Sequence, residues 1–291
     1  MNILFSINGG MGKSVMATGI CEAIKKKYPA SNLIVITGYP EVFSGISCVD
    51  FSFDLNHESY FYSKYIDGQD FMMMGQEPYM ETDHLQNKQH VIETWCKMND
   101  IPYNGEMPKV VINEREKTFF TVKYPCDRPI MVIQSNGGAA QQELRYSWAR
   151  DIPRSFVQSV IEHYKDKYQI YHIRRENQIG YDHTIPFTDS YKGIASIILR
   201  SEKRLLMDSV GQHIAAALNK PSSVLWIANK PHIFGYQIHH NLIANRETIK
   251  PDLRYSAFTK YNIVGALHEF PYNSEVEMFN IDDIITSIEQ Q

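Results

Sequence analysis

The chain has 291 residues, 43% of them hydrophobic and 21% charged, which excludes a disordered polymer and suits two modest globular domains. Its 29 lysines and arginines against 33 aspartates and glutamates give a net charge of −4, which argues against a basic nucleic-acid coat or a polybasic membrane binder and leaves room only for a local basic cleft. Cys21, Cys48, Cys96 and Cys126 are widely spaced with no C-x-x-C pair, so neither a zinc knuckle nor a disulfide framework is expected, and the thiols read as reduced in a cytoplasm.

The opening apolar stretch is too short for a signal peptide and no apolar run approaches the roughly 18 residues of a membrane span. Ile3 to Ile7 reads as a buried strand, Asn8-Gly9-Gly10-Met11-Gly12 as a glycine loop, and Ser14 to Lys27 as a helix stopped by Tyr28-Pro29. Leu33 to Thr37 supplies a second strand, so the first forty residues form a parallel βαβ unit. Val49, Phe51 and Phe53 alternate as a third strand would; residues 55–85, including Met72-Met73-Met74, show no clean period. Gln89 to Met98 predicts a helix and Pro108 to Asn113 a strand, followed by the polar run Glu114-Arg115-Glu116-Lys117.

The grammar then restarts. Ile130 to Gln134 is an apolar strand entering Ser135-Asn136-Gly137-Gly138, and Pro153 opens a helix to about Lys165 with Phe156, Val157, Val160 and Ile161 on one side. Strands follow at Gln169 to Ile173, Leu205 to Met207 and Ser223 to Ile227, with helices at Tyr191 to Arg200 and Gly211 to Leu218. The expected fold is α/β, two Rossmann-like doubly wound domains facing across a cleft, with residues 1–125 as the first, 126–278 as the second and the join within residues 114–128. Residues 279–291 hold a helix, Ile281 to Ile288; residues 232–278 suggest no role.

Two segments carry chemistry. Gly9-Gly10-Met11-Gly12-Lys13-Ser14 approaches a phosphate-cradling P-loop but has Ile7 where G-x-x-x-x-G-K-S/T needs its first glycine, so a nucleotide hydrolase using Asp208 for magnesium is an alternative only. In Leu205-Leu206-Met207-Asp208-Ser209-Val210-Gly211-Gln212-His213-Ile214-Ala215-Ala216-Ala217-Leu218-Asn219-Lys220-Pro221, a strand delivers Asp208 and Ser209 to a helix N-terminus that favours an anionic diphosphate. Taken singly, Asp208-Ser209 would be an N-cap and His213 a packed histidine.

That segment resembles the pattern of glycosyltransferase family 9, the heptosyltransferase-like enzymes, D-S/T-G-P-x-H-x-A-A-A-L-x-K-P before an apolar strand. Gly12 matches the glycine of the family's first loop, Lys25-Lys26-Lys27-Tyr28-Pro29 its basic helix end, and Arg145 with Trp148 and Pro153 a loosened K-x-W-P. The resemblance touches most of residues 1–230 and is specific over Asp208 to Pro221. It implies a GT-B architecture with the nucleotide sugar mainly on the C-terminal domain, the acceptor mainly on the N-terminal one, and the final helix of residues 279–291 folded back onto the N-terminal domain. It also implies inverting, metal-independent transfer with no cofactor, the nucleotide diphosphate-sugar being substrate. The absence of a D-x-D triplet agrees with that.

Two departures stand out. Val210-Gly211 replaces Gly-Pro, and Lys13 stands where the family carries an aspartate taken as general base. A protonated lysine cannot accept the acceptor's proton, so Lys13 is assigned to phosphate and the base is unassigned, with Glu41, Asp67 and Asp70, and behind them Glu77 and Asp83, as candidates. The expected donor site comprises Gly12, Lys13, Gly137, Gly138, Arg145, Glu176, Asp208, Ser209, Gly211 and His213, with no metal; Arg150 is a second cation beside Trp148. Glu176, after Arg174-Arg175, suits ribose hydroxyls or a surface ion pair. The acceptor reads as a saccharide such as lipopolysaccharide core. The phage-type alternative, a hydroxymethylated DNA base, draws on the Ile, Tyr, Asn and Lys-rich composition and on Lys25 to Lys27, Lys109, Arg115, Lys117 and Lys123. A sugar-nucleotide binding module without catalysis is the remaining alternative, and no obligate protein partner is evident.

Overall fold

The computed structural model describes residues 1–137, 148–253 and 270–291, which divide into two compact units, Met1–Asn113 and Glu114–Gln291. In the first, β1 (Asn2–Ile7), β2 (Asn32–Thr37), β3 (Phe51–Phe53) and β4 (Phe71–Met74) form a parallel sheet in the order β3-β2-β1-β4. Ile3, Leu4 and Phe5 are wholly buried, as an unbroken apolar run in a central parallel strand requires. Helices α1 (Met11–Lys27), α2 (Phe61–Tyr65), α3 (Thr82–Leu85) and α4 (Val91–Met98) complete the unit. Trp95 of α4 packs its ring 5.3 Å from that of Phe5, and Phe61 and Tyr65 of α2 join Phe53 against Leu4, Ile34 and Ile36.

Two expectations for this unit are corrected. Met72 to Met74, read as aperiodic, belong to β4; as the edge strand, β4 leaves Phe71 43% and Met73 53% exposed, so its alternation lacks the apolar contrast that marks half-buried strands. Pro108 to Asn113 is no strand: its Lys109 N–H donates to Thr18 Oγ1 of α1 at 2.7 Å rather than to a neighbouring strand.

The second unit begins with α5 (Glu114–Lys123), so the boundary falls at 113 rather than 125. Arg200 fixes α5 there by donating to the carbonyls of Phe120 at 3.1 Å and Tyr124 at 2.8 Å, and the Tyr124 ring lies 4.8 Å from that of Phe187, tilted by 56°. Its sheet comprises β5 (Ile130–Ile133), β6 (Gln169–Ile173), β7 (Ile185–Phe187), β8 (Lys203–Met207), β9 (Ser223–Trp226) and β10 (His240–Ile243), all parallel, in the order β10-β9-β8-β5-β6-β7. The helices are α6 (Arg154–Tyr164), α7 (Tyr191–Arg200), α8 (Val210–Ala217), α9 (Pro231–Phe234) and α10 (Ile281–Glu289). Met131, Ile133, Leu205, Met207 and Leu225 share a core with Phe156, Val157, Val160 and Ile161 of α6.

The last helix corrects another expectation. Ile284 and Ile288 of α10 enter this same core, Ser287 Oγ bonds Ser223 Oγ at 2.6 Å, and Gln291 pairs with the Arg204 backbone. An apolar stripe at i and i+4 finds its cover in its own unit rather than on the N-terminal one. Gly235 closes α9: a Cβ there would stand 2.7 Å from the Pro231 carbonyl and 2.8 Å from buried Trp226. Gly235→Ala is therefore expected to destabilise by about 1–3 kcal/mol, read as a lower urea midpoint at unchanged slope.

Candidate functional site

In an open parallel sheet, ligands settle beyond the carboxyl ends of the strands, where the order reverses direction. In the second unit that point lies between β5 and β8. The residues that leave these strands meet there: Gln134 Nε2 donates to Ser209 Oγ at 3.2 Å, and Gln134 Oε1 accepts from Gly211 N–H at 2.9 Å. Ser209 makes no side-chain cap to α8, so Gln134 caps it from across the switch point. The expectation that the Gly211 amide awaits a diphosphate is corrected: a glutamine side chain already occupies it.

Around this bridge sits a polar rim. Asp208 is buried, and Asn229 Nδ2 donates to its carboxylate. Burial pushes the Asp208 carboxyl above the ordinary aspartate range, against the opposing pull of the Arg150 guanidinium and the Asn229 bond. Arg150 lies against Gly137, where an added Cβ would stand 2.7 Å from Nη2; only glycine lets the guanidinium approach so closely. The Gly137 amide donates to Asp151 Oδ1 at 2.8 Å and its carbonyl accepts from Gln178 Nε2 at 2.7 Å. Asn136 Nδ2 donates to Asp151 Oδ2 at 3.1 Å, and Ile152 N–H to the Ser135 carbonyl at 2.9 Å, which ties the Arg150 segment over the end of β5. Arg150, Gly137, Ser209 and Asn229 are half-buried and line the rim. The Arg150 guanidinium and the Ser209 hydroxyl thus stand beside the buried Asp208, a cation and a hydroxyl suited to anionic oxygens.

Other expected donor contacts are placed elsewhere. His213 is 3% exposed, its Nδ1 lies 2.8 Å from Tyr236 Oη, and it packs among buried groups; it is a structural histidine. Glu176 is exposed on a loop that Arg174 organises by donating to the Arg175, Glu176 and Gln178 carbonyls. Gly138 and Arg145 lie outside the described residues. Gln134, Asn229 and Asp151 were not anticipated; Gln134 and Asn229 follow the ends of β5 and β9, the one signal that could have singled them out.

In the first unit the order reverses between β1 and β4. Helix α1 begins at Met11, so Gly12 and Lys13 lie in its first turn rather than in a loop. Lys13, expected to hold phosphate, is 6% exposed; its Nζ pairs with Glu77 Oε2 at 2.5 Å and lies 4.8 Å from the Tyr79 ring centroid and 5.2 Å from that of Trp95. Burial lowers the Lys13 pKa and Glu77 opposes the shift. Both assignments of Lys13 to phosphate, in the donor site and in a P-loop, are thereby corrected. Glu41 is exposed after β2. Asp67 and Asp70 precede β4 and so lie toward the amino end of the sheet, where the Asp70 carbonyl accepts from Asn2 N–H at the start of β1. Asp83 is held by Lys88 and Lys97.

Much of the supposed basic face is paired with acids: Lys25 with Asp50, Lys26 with Glu22 and Glu106, Lys109 with Glu22, Lys117 with Glu114 and Lys123 with Asp189, whereas Lys27 donates to the Asp100 carbonyl. Among the described residues, no three His, Cys, Asp or Glu side chains gather where they could hold a metal, and no helix is long and apolar enough to cross a membrane.

No family model and no curated protein matches the sequence. Among solved structures, the chain is similar to the ADP-heptose lipopolysaccharide heptosyltransferase II of E. coli, at 13% identity over 100% of this chain and 99% of that one, with a TM-score of 0.70. The chain has the heptosyltransferase fold. A glycosyltransferase family 9 protein of Veillonella parvula matches at 13% identity, 99% and 96% coverage and a TM-score of 0.66. An E. coli heptosyltransferase solved with ADP matches at 12% identity, 84% and 94% coverage and a TM-score of 0.55. The likeness extends over both units rather than over the Asp208 to Pro221 segment alone, and each unit is a parallel α/β sheet as the resemblance implied.

Proposed function

We propose that this protein is a glycosyltransferase that moves a sugar from a nucleotide diphosphate-sugar to an acceptor hydroxyl, with inversion and without a metal. The observation that carries the reading is the polar rim at the β5/β8 switch point, where Arg150, Ser209 and the Gly137 turn surround Asp208. A fold alone does not assign chemistry, and it is this site that selects among the activities the fold can host. The leaving group is a nucleoside diphosphate whose charge grows as the glycosidic bond breaks, and Arg150 supplies the positive charge that a divalent ion supplies in other transferases. The neighbours solved with ADP and with ADP-2-deoxy-2-fluoro heptose support an ADP-sugar as the donor. A saccharide is favoured as acceptor over DNA because Lys25, Lys26, Lys109 and Lys123, which would neutralise a phosphate backbone, are already paired with carboxylates.

ADP at about one hundred times its dissociation constant is expected to raise the unfolding temperature by about 5–10 °C, by mass action on the native state. No shift with ADP, ADP-heptose or other nucleotide sugars would remove the reading. Transfer from ADP-heptose to lipopolysaccharide core oligosaccharide, followed as ADP release, would distinguish the enzyme from a binding module.

A further inference from the structure

Glycosyl transfer to a hydroxyl needs a group that takes the hydroxyl proton, and the first unit holds a carboxylate arranged for that task. We infer that Glu77 is the general base and Lys13 its positioning residue, an inference that rests on the glycosyltransferase reading. Glu77 follows β4 by three residues and so stands beyond the carboxyl end of that strand, at the β1/β4 switch point where an open sheet binds its ligand. Its orientation is fixed from two sides: Tyr79 N–H donates to Oε1 at 3.2 Å, and Lys13 Nζ to Oε2 at 2.5 Å. The lysine is itself buried between the Tyr79 and Trp95 rings, whose faces favour the ammonium, so the carboxylate is aimed by a group that cannot swing away.

Enough of the carboxylate stays open to act. A carboxylate offers about four lone-pair sites and these contacts use two. The Glu77 side chain is 39% exposed against 5% for Lys13, so the acid faces solvent while its holder does not. The rival carboxylates lack this combination: Glu41 is exposed without such a holder, Asp67 and Asp70 precede β4 and so lie toward the amino end of the sheet, and Asp83 is held between two lysines. Burial disfavours the charged form of Lys13, and the paired Glu77 carboxylate favours it.

In the step, the acceptor O–H proton passes to a Glu77 oxygen as the acceptor oxygen forms its bond to the anomeric carbon. The bond from that carbon to the diphosphate oxygen breaks, and its electron pair leaves with the nucleoside diphosphate. The test uses the full chain, ADP-heptose as donor and a panel of lipopolysaccharide core oligosaccharides as acceptors. Glu77→Gln is expected to lower kcat by about 10²–10⁴-fold with the KM for ADP-heptose and the ADP-induced thermal shift unchanged, and Glu77→Asp to recover part of the loss. Lys13→Met is expected to lower kcat at constant donor KM, with Lys13→Arg restoring it to within about tenfold because arginine keeps the charge and stacks on both rings. A Glu77→Gln enzyme within threefold of wild-type kcat, or Lys13→Met and Lys13→Arg variants equally impaired, would overturn the assignment. Wild-type protein that binds ADP but transfers to no acceptor would overturn the role of Glu77, whereas failure to bind ADP would remove the glycosyltransferase reading itself.

Discussion

Arg150→Ala is expected to lower kcat/KM for glycosyl transfer by about 10²–10³-fold, with the protein still folded. The residue is half-buried, so its removal opens no core cavity, and it lies against Gly137 at the carboxyl edge of the β5/β8 switch point. Its charge is worth most as the diphosphate departs, because charge on the leaving oxygens is greater in the transition state than in the bound donor. Arg150→Lys is expected to recover only part of the loss, since an ammonium lacks the planar fork that takes two phosphate oxygens together. The same guanidinium opposes the burial that pushes the Asp208 carboxyl upward, so its loss moves that carboxyl further up. Steady-state kinetics with a circular-dichroism melt checks the prediction; an alanine variant with unchanged kcat/KM would place the diphosphate elsewhere.

Acidification from pH 7 to pH 4.5 is expected to cost roughly 5 kcal/mol of folding stability through His172 and His239. Burial lowers each imidazole from the ordinary 6.5 to about 4, with Arg174 adding to the shift at His172 and the Gln212 carbonyl opposing it at His239. Each histidine is neutral in both states above 6.5, so its contribution is complete at pH 7. Below 6.5 the unfolded chain binds protons that the folded chain refuses until about 4, and stability falls through that window. Asp208 acts in the opposite sense, since its folded carboxyl holds a proton more tightly than the unfolded one and returns some stability as pH falls. The positions of the rings account for the shifts. His172 Nε2 lies 2.8 Å from Ser135 Oγ inside the sheet, and His239 Nε2 donates to the Gln212 carbonyl at 2.9 Å. Urea midpoints at the two pH values check the loss, and His172→Gln and His239→Gln should each flatten it by about half. A midpoint independent of pH would contradict the assignment.

The sequence made the central strands legible because burial on both faces writes an unbroken apolar run, as at Ile3-Leu4-Phe5 and Leu205-Leu206-Met207. It hid β4, β7 and β10, which are short and lie at sheet edges, where exposed Met73, Ile185 and Ile243 blur the period. It also misread Pro108 to Asn113, whose extended backbone bonds a helix side chain rather than a strand. The site was legible as places more than as roles. Asp208, Ser209 and Gly137 stand at the strand ends where they were sought, but the Gly211 amide is taken by Gln134 from 77 residues away, a pairing that no local pattern records. His213 looked chemical because histidine is versatile; a buried tyrosine hydroxyl beside it makes it structural. Lys13 looked like a phosphate ligand because it follows glycines, and only the folded chain places Glu77 against it.

Hydrogen–deuterium exchange of the full chain with and without ADP-heptose tests the central claim most directly. Protection is predicted in the peptides that carry Gln134 to Gly137 and Asp208 to Gln212, the turns that leave β5 and β8. Protection confined to the Gly9 to Lys13 turn, or none in either unit, would contradict the account.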